Sequence, residues 1–296
     1  MPRSSRSVRP TGTSRFAVRR RLPLAAALAA ATALVAGVAA PAHAADPAPL
    51  APVVEGRTAF HPDRDFAGST VAAHEGRSGT APLAPLAVTQ TPGLDVASYQ
   101  GNVDWSSAAV NGAQFAYIKA TEGTSYTNPY FAQQYNGSYG SGLIRGAYHF
   151  ALPGNSSGSA QANWFVDHGG GWSADGQTLP PALDIEYNPY GATCYGLSQS
   201  AMVSWIQAFS DTVHYRTGRY PTIYTTTNWW SSCTGDYGGF GATNPLWIAR
   251  YSSTVGTLPN GWGYQTFWQY SDTGTFPGDQ DLFNGASDRL SALALG

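Results

Sequence analysis

The sequence predicts an α/β protein whose folded part is one irregular TIM-like (β/α) barrel. Three observations predict it. Short β-branched and aromatic runs recur from Gly93 to the C-terminus, spaced by turn residues. Helical stretches lie between several of them. An open doubly wound sheet would carry a Gly-rich phosphate loop after its first strand, and Leu94-Asp95-Val96-Ala97-Ser98-Tyr99-Gln100-Gly101 is not one. Strand–helix alternation is met most economically by a parallel sheet closed on itself.

The expected strands are, in order, 94–96, 115–118, 146–150, 182–186, 222–225, 246–249 and 266–270. The clearest helix spans 198–217, where Val203, Ile206, Phe209 and Val213 are spaced three or four apart and Gly218 is a fitting stop. Further helices are expected over 128–139, 158–168 and 286–295. Helices after the later strands look short or missing, which makes the barrel irregular.

The part before the barrel differs in kind. Residues 1–89 carry a net charge of +5 and residues 90–296 one of −7. Arg19-Arg20-Arg21, the apolar run 22–40 and Ala42-His43-Ala44 read as a cleaved export signal over 1–44. The consecutive arginines leave the twin-arginine route open. Residues 45–89 are rich in Ala, Pro, Gly and Arg without periodicity, and read as a propeptide or disordered linker. The expected product is extracellular and monomeric, with no stable membrane insertion after signal cleavage.

Composition narrows the function. Only 11% of residues are charged while 13% are aromatic, a balance that suits handling of a neutral, ring-shaped polymer. The acidic part contains one lysine, Lys119, and no basic run, so no nucleic-acid partner is expected. Cys194 and Cys233, an even count in an exported chain, suggest one disulfide. The scattered histidines and two cysteines give no metal site, and no cofactor is expected.

The chemistry centres on Leu183-Asp184-Ile185-Glu186-Tyr187. Residues i and i+2 of a strand share a face, so Asp184 and Glu186 should both point into the barrel mouth. A buried carboxyl beside another carboxylate has a raised pKa and can act as an acid near neutral pH. Glycosidic cleavage needs such an acid and a second group that stabilises positive charge. Asp95, Asp279 and Asp281 sit at comparable strand ends, where barrel active sites gather. Tyr99, Trp105, Tyr148, Tyr187, Trp229, Trp230 and Trp268 fall near the same ends, and as a set suit a saccharide cleft. Gly154-Asn155-Ser156-Ser157-Gly158 matches a serine-nucleophile elbow that Asp184 and His214 could complete. His214, however, falls inside the long helix, so the context fails.

Six ordered segments resemble glycoside hydrolase family 25: 93–101, 115–123, 146–150, 183–186, 268–271 and 279–283. The resemblance covers roughly 92–296, and within the family it is similar to the actinomycete cellosyl-like enzymes, which share the cysteine pair. It implies a catalytic domain over 90–296 and an N-acetylmuramidase. That enzyme cuts the β-1,4 bond between N-acetylmuramic acid and N-acetylglucosamine in bacterial peptidoglycan. By position Glu186 is implied as general acid/base, Asp184 as partner of the substrate's 2-acetamido group, and Asp95 as a third acid. The family's fourth acid precedes a Phe by four residues, which selects Asp279 over Asp281. Asp279, Tyr148, Tyr99 and Trp268 are the expected substrate contacts. Ala97 replaces the family's usual Ser and carries none of this chemistry. The alternatives are a chitinase-like hydrolase, whose motif has a further Asp where this chain has Ala182, and a non-catalytic glycan-binding barrel.

Overall fold

The computed structural model describes residues 60–78 and 89–296. The expected signal, residues 1–44, lies outside the described residues. In chain order the elements begin with α1 (Val71–Glu75), β1 (Thr91–Val96), α2 (Trp105–Val110), β2 (Phe115–Glu122) and β3 (Tyr126–Thr127). Next come α3 (Phe131–Gly140), β4 (Ile144–Phe150), α4 (Gly158–Asp167), β5 (Ala182–Asp184) and α5 (Gln199–Thr217). The chain ends with β6 (Thr222–Thr225), α6 (Thr227–Thr234), β7 (Leu246–Ala249), β8 (Phe267–Ser271), β9 (Asp279–Phe283) and α7 (Ser287–Leu295).

Eight strands close into a barrel in the order β1-β9-β8-β7-β6-β5-β4-β2, and β1 pairs with β2 to complete it. All neighbours are parallel except at β9, which runs antiparallel to both β8 and β1. Residues 272–278 are too few for the crossover of about a dozen that a parallel return needs, so the chain turns back as a hairpin. β3 is a short antiparallel addition to the end of β2.

Every expected strand is present, and β3 and β9 are the strands that periodicity did not show. β5 ends at Asp184 instead of 186, although Ile185 N–H still donates to Tyr224 O at 3.0 Å and carries the ladder one residue further. The helix expected from 128 starts at Phe131. The Asn128 side chain instead holds a turn, accepting from Tyr130 N–H (2.9 Å) and donating to Lys119 O (2.8 Å). Helix α2 is too short to show a periodicity; Asp104 caps it by accepting from Ser107 N–H at 3.0 Å. Helix α5 starts after Ser198, whose hydroxyl accepts from Ala201 N–H, and stops at Gly218 in the left-handed conformation (φ 78°). No helix follows β7 or β8, the irregularity expected.

Alternation sorts the strand residues into an interior and an outer face. Inside, Phe115, Tyr117, Trp247, Phe267 and Phe283 fill the lower barrel. The Tyr117 and Trp247 rings stack at 4.8 Å. Outside, Leu183, Ile185, Ile223 and Ile248 pack against Phe165 of α4 and Met202, Ile206, Phe209 and Val213 of α5. Leu94, Val96, Ala116 and Ile118 pack against Trp105 and Ala108 of α2. The apolar filling below leaves polar interior side chains at the opposite rim.

One part of the stretch expected as propeptide or linker, residues 60–78, is among the described residues. Residues 60–78 cross the polar rim, form α1 and bury Ala67 and Val71 among interior tyrosines. Their apolar residues dock onto the barrel and build no core of their own, which is why they show no periodicity.

Cys194 and Cys233 form the expected disulfide, with Cα atoms 5.3 Å apart. It fastens the loop after β5 to α6 at the same rim. Replacing both cysteines by alanine should lower unfolding free energy by about 3–4 kcal/mol, the chain-entropy value for a loop of this length. Urea unfolding of the double variant measures it, and an unchanged midpoint would show that the loop is held by its other contacts.

Candidate active site

Asp184 is the last residue of β5, and Glu186 stands two residues beyond it. Leu183 and Ile185 face the outer core, so alternation turns both acids inward. Asp95 of β1 and Asp279 of β9 are direct register partners. The antiparallel sense of β9 is what brings its first residue to the rim where β1 ends. Asp281 lies one step down the interior, opposite Gly93, with its Oδ1 accepting from Trp247 Nε1 at 2.8 Å. Asp279 therefore belongs to the rim and Asp281 to the floor.

Gln269 ties these acids together. Its Nε2 donates to Asp95 Oδ2 (2.7 Å), Asp279 Oδ2 (3.0 Å) and Ala67 O (2.8 Å). Its Oε1 accepts from Tyr224 OH (2.7 Å) and Tyr251 OH (3.2 Å), which fixes the amide's orientation. Tyr251 OH also lies 3.3 Å from Asp279 Oδ2. Lys119, fully buried, donates to Glu122 Oε2 (2.6 Å), Pro62 O (3.0 Å) and Asp65 O (2.5 Å). Sequence reasoning did not single out Gln269, Tyr224, Tyr251 or Glu122. The available signal was the inward phase of β8, which places Gln269 level with the acids.

Burial dominates the electrostatics. Only 1% of Asp95, Asp184 and Glu186 and 3% of Asp279 is exposed. Burial, followed by the Glu186 charge, raises the Asp184 carboxyl well above the ordinary range. Burial and the neighbouring Asp281 do the same to Asp95, and burial and Asp95 to Asp279. Glu186 is raised to about 7 by burial, with hydrogen bonds from Thr70 and Gly68 opposing the rise. Gly68 N–H donates to Glu186 Oε1 at 2.7 Å and Thr70 Oγ1 donates to Glu186 Oε2. Both oxygens of Asp184 are buried without a hydrogen-bond partner among the described residues.

The aromatic residues divide. Tyr99 stands at the rim, 67% exposed, and Tyr148 lies inside with its hydroxyl accepting from Ala67 N–H at 3.2 Å. Tyr187 is at the rim and donates to Glu75 Oε1 at 2.6 Å. Trp268 does not line the cleft. It alternates with inward Phe267 and Gln269, so it faces outward, buried, with Nε1 donating to Arg250 O at 2.9 Å. Trp229 and Trp230 are outer core as well, and Trp105, the first residue of α2, packs against Gly137 of α3. In the serine-elbow match, Ser157 caps α4 by accepting from Ala160 N–H and Ser156 O accepts from Trp205 Nε1 at 2.7 Å. His214 stacks on Tyr220 at the end of α5, with ring centroids 3.9 Å apart.

The raised acids link stability to pH. Glu186 holds its proton up to about pH 7 in this fold and to about 4.5 as a free side chain. The stability it contributes is complete below about 4.5 and is lost as pH rises through about 7; the other raised acids act in the same sense. Melting temperature should therefore fall between pH 4.5 and 7.5. Asp184→Asn cannot ionise and removes one of the raised acids, so melting temperature should fall less between pH 4.5 and 7.5 in this variant than in the parent. Calorimetry at both pH values measures both effects. A variant whose melting temperature falls as steeply as the parent's would mean that Asp184 is not among the raised acids.

Residues 94–279 match the family profile of glycosyl hydrolases family 25. The chain is 54% identical over 208 residues to an N,O-diacetylmuramidase of a Chalaropsis species, covering 69% of this chain and 99% of that protein. It is 48% identical over 217 residues to lysozyme M1 of Streptomyces globisporus, covering 72% of this chain and 74% of that protein. Among solved structures it is similar to a muramidase from Acremonium alcalophilum, with 59% identity and a TM-score of 0.69 over 70% of this chain and 99% of that one. By profile, identity and barrel geometry together, the chain belongs to glycosyl hydrolases family 25.

Proposed function

We propose that the chain is an exported muramidase that hydrolyses the β-1,4 bond between N-acetylmuramic acid and N-acetylglucosamine in bacterial peptidoglycan. The observation that carries this reading is the contrast between the paired carboxyls. Glu186 has a pKa of about 7, suited to giving up and retaking a proton near neutrality. Asp184 presents two oxygens without partners, suited to accepting an N–H from the substrate. The form we infer is monomeric, with the signal at 1–44 removed and the catalytic barrel over 90–296. Among the described residues no helix is long and apolar enough to cross a membrane.

In the proposed reaction Glu186 protonates the glycosidic oxygen while the 2-acetamido oxygen of the N-acetylmuramic acid attacks C1 from the opposite face. The C1–O bond breaks, the leaving sugar departs as an alcohol, and an oxazolinium ring forms. Asp184 accepts the acetamido N–H, which orients that group and balances the charge it acquires. Glu186, now a carboxylate, takes a proton from water as the water attacks C1 and reopens the ring, with retention. Asp95 and Asp279, joined through Gln269, make the wall beside this pair. Tyr99 and Tyr148 are the aromatic contacts retained for the substrate. The chitinase-like alternative lacks its further carboxylate, because Ala182 is part of the apolar interior.

Incubated with purified peptidoglycan and with chitin after residues 45–89 are removed, the barrel should separate the readings, with new reducing ends identified by mass spectrometry. N-acetylmuramic acid ends from peptidoglycan support the proposal. Ends from chitin favour the chitinase-like enzyme, and none at all a binding barrel. Glu186→Gln should reduce cleavage by about 10²–10⁴-fold, the usual contribution of a general acid, and leave glycan binding in place. Initial release of the α-anomer, read by NMR, would exclude acetamido assistance.

A further inference from the structure

We infer that residues 60–78 are an intramolecular inhibitor that occupies the glycan cleft, so that the barrel acts on its polymer only when this segment is cut away or displaced. What is blocked rests on the muramidase reading; the blocking itself rests on contacts.

The centre of the segment sits on the acid. Gly68 N–H and the Thr70 hydroxyl take both oxygens of Glu186, the positions a glycosidic oxygen and a water would need. Ala67 offers its carbonyl to Gln269 and its N–H to Tyr148. The fit is close: a Cβ on Gly68, whose φ is +95°, would lie 2.2 Å from Tyr251 Oη and 2.6 Å from Gln269 Oε1.

Either side of this centre the segment places rings on the rim aromatics. His74 stacks on Tyr187 with centroids 4.0 Å apart and an interplanar angle of 1°. Phe66 lies 5.7 Å from Tyr99 at 30°. Flat groups over rim rings are how a saccharide face would sit. The two ends are anchored by charge. Lys119 holds Pro62 O and Asp65 O at one end. Glu75 accepts from Tyr187, Thr226 and Asn228 at the other.

Two cavities adjoin the segment at the rim. A cavity of about 530 Å³ is lined by Phe66, Tyr99, Asp272 and Asp279. One of about 330 Å³ is lined by Glu75, Asn228, Arg250 and Tyr251. The family fold does not need the segment. The Chalaropsis relative is matched over 99% of its length by 208 residues, and Thr91–Leu295 alone takes up nearly all of them.

The test inserts a sequence-specific protease site between Leu83 and Ala84 of the full chain. The protein is assayed before and after cutting for cleavage of peptidoglycan and, by calorimetry, for binding of an N-acetylglucosamine tetramer. A docked segment favoured about 100 to 1 weakens apparent affinity about 100-fold, so cutting and gel filtration should restore both readouts by that order. A synthetic peptide of residues 60–78 should then suppress both again. Uncut Gly68→Val should behave like the cut protein, because its side chain expels the segment without touching the barrel. Equal binding and cleavage in the uncut and cut forms would overturn the inference. So would a Gly68→Val chain that melts like the parent yet stays as silent. Tetramer binding gained on cutting without any peptidoglycan cleavage would uphold the inhibitor and remove the muramidase reading.

Discussion

Four carboxyl groups are held out of water at one rim of a closed barrel, and much of the surrounding structure answers the cost of putting them there. Like charges in a low-dielectric site cannot all ionise, so each acid is pushed toward its neutral form. Gln269 places one amide between Asp95 and Asp279, and its own carbonyl is held by Tyr224 and Tyr251. Both hydroxyls are buried with it, and Tyr251 also reaches Asp279 Oδ2. The aromatic floor keeps water from entering below. The site is thus destabilising for the fold and preorganised for proton transfer by the same arrangement.

Closure of the barrel decides which acids take part. β9 returns antiparallel because its hairpin is short, and this single reversal sets Asp279 beside Asp95. Had β9 run parallel, its first residue would lie at the opposite end. The disulfide acts at the same rim. It fastens the loop that carries Tyr187 and Tyr190 to α6, so the aromatic edge of the cleft is fixed to the helical shell.

The strands that build this rim were legible in the sequence because each is a short apolar run whose phase also reveals Asp184 and Glu186. The Asp95–Asp279 pairing was legible only through resemblance, since no local pattern shows the sense of a strand. Trp268 was misplaced for a related reason. Its proximity to strand ends was visible, but one residue of phase separates Gln269, which faces the acids, from Trp268, which faces the helices. Residues 60–78 left no trace because their partners lie across the barrel, at sequence separations periodicity does not sample. Gly68 and Thr70 reach Glu186 more than a hundred residues away.

The docked segment and a glycan answer the same deficits unequally. The segment supplies donors to Glu186, an acceptor to Gln269 and two carbonyls to Lys119. It leaves both oxygens of Asp184 without a partner. An N-acetyl sugar carries the N–H that Asp184 lacks, and it can also accept at Glu186, where the segment donates. Docking therefore satisfies Glu186 in its charged form and ignores the acid beside it, whereas in the proposed reaction substrate would use Glu186 in its protonated form and complete Asp184. This difference makes the segment a stable occupant of the cleft without making it a substrate mimic. It also gives exchange a direction: once the segment's ends are freed from their anchors, the unpaired Asp184 favours the glycan.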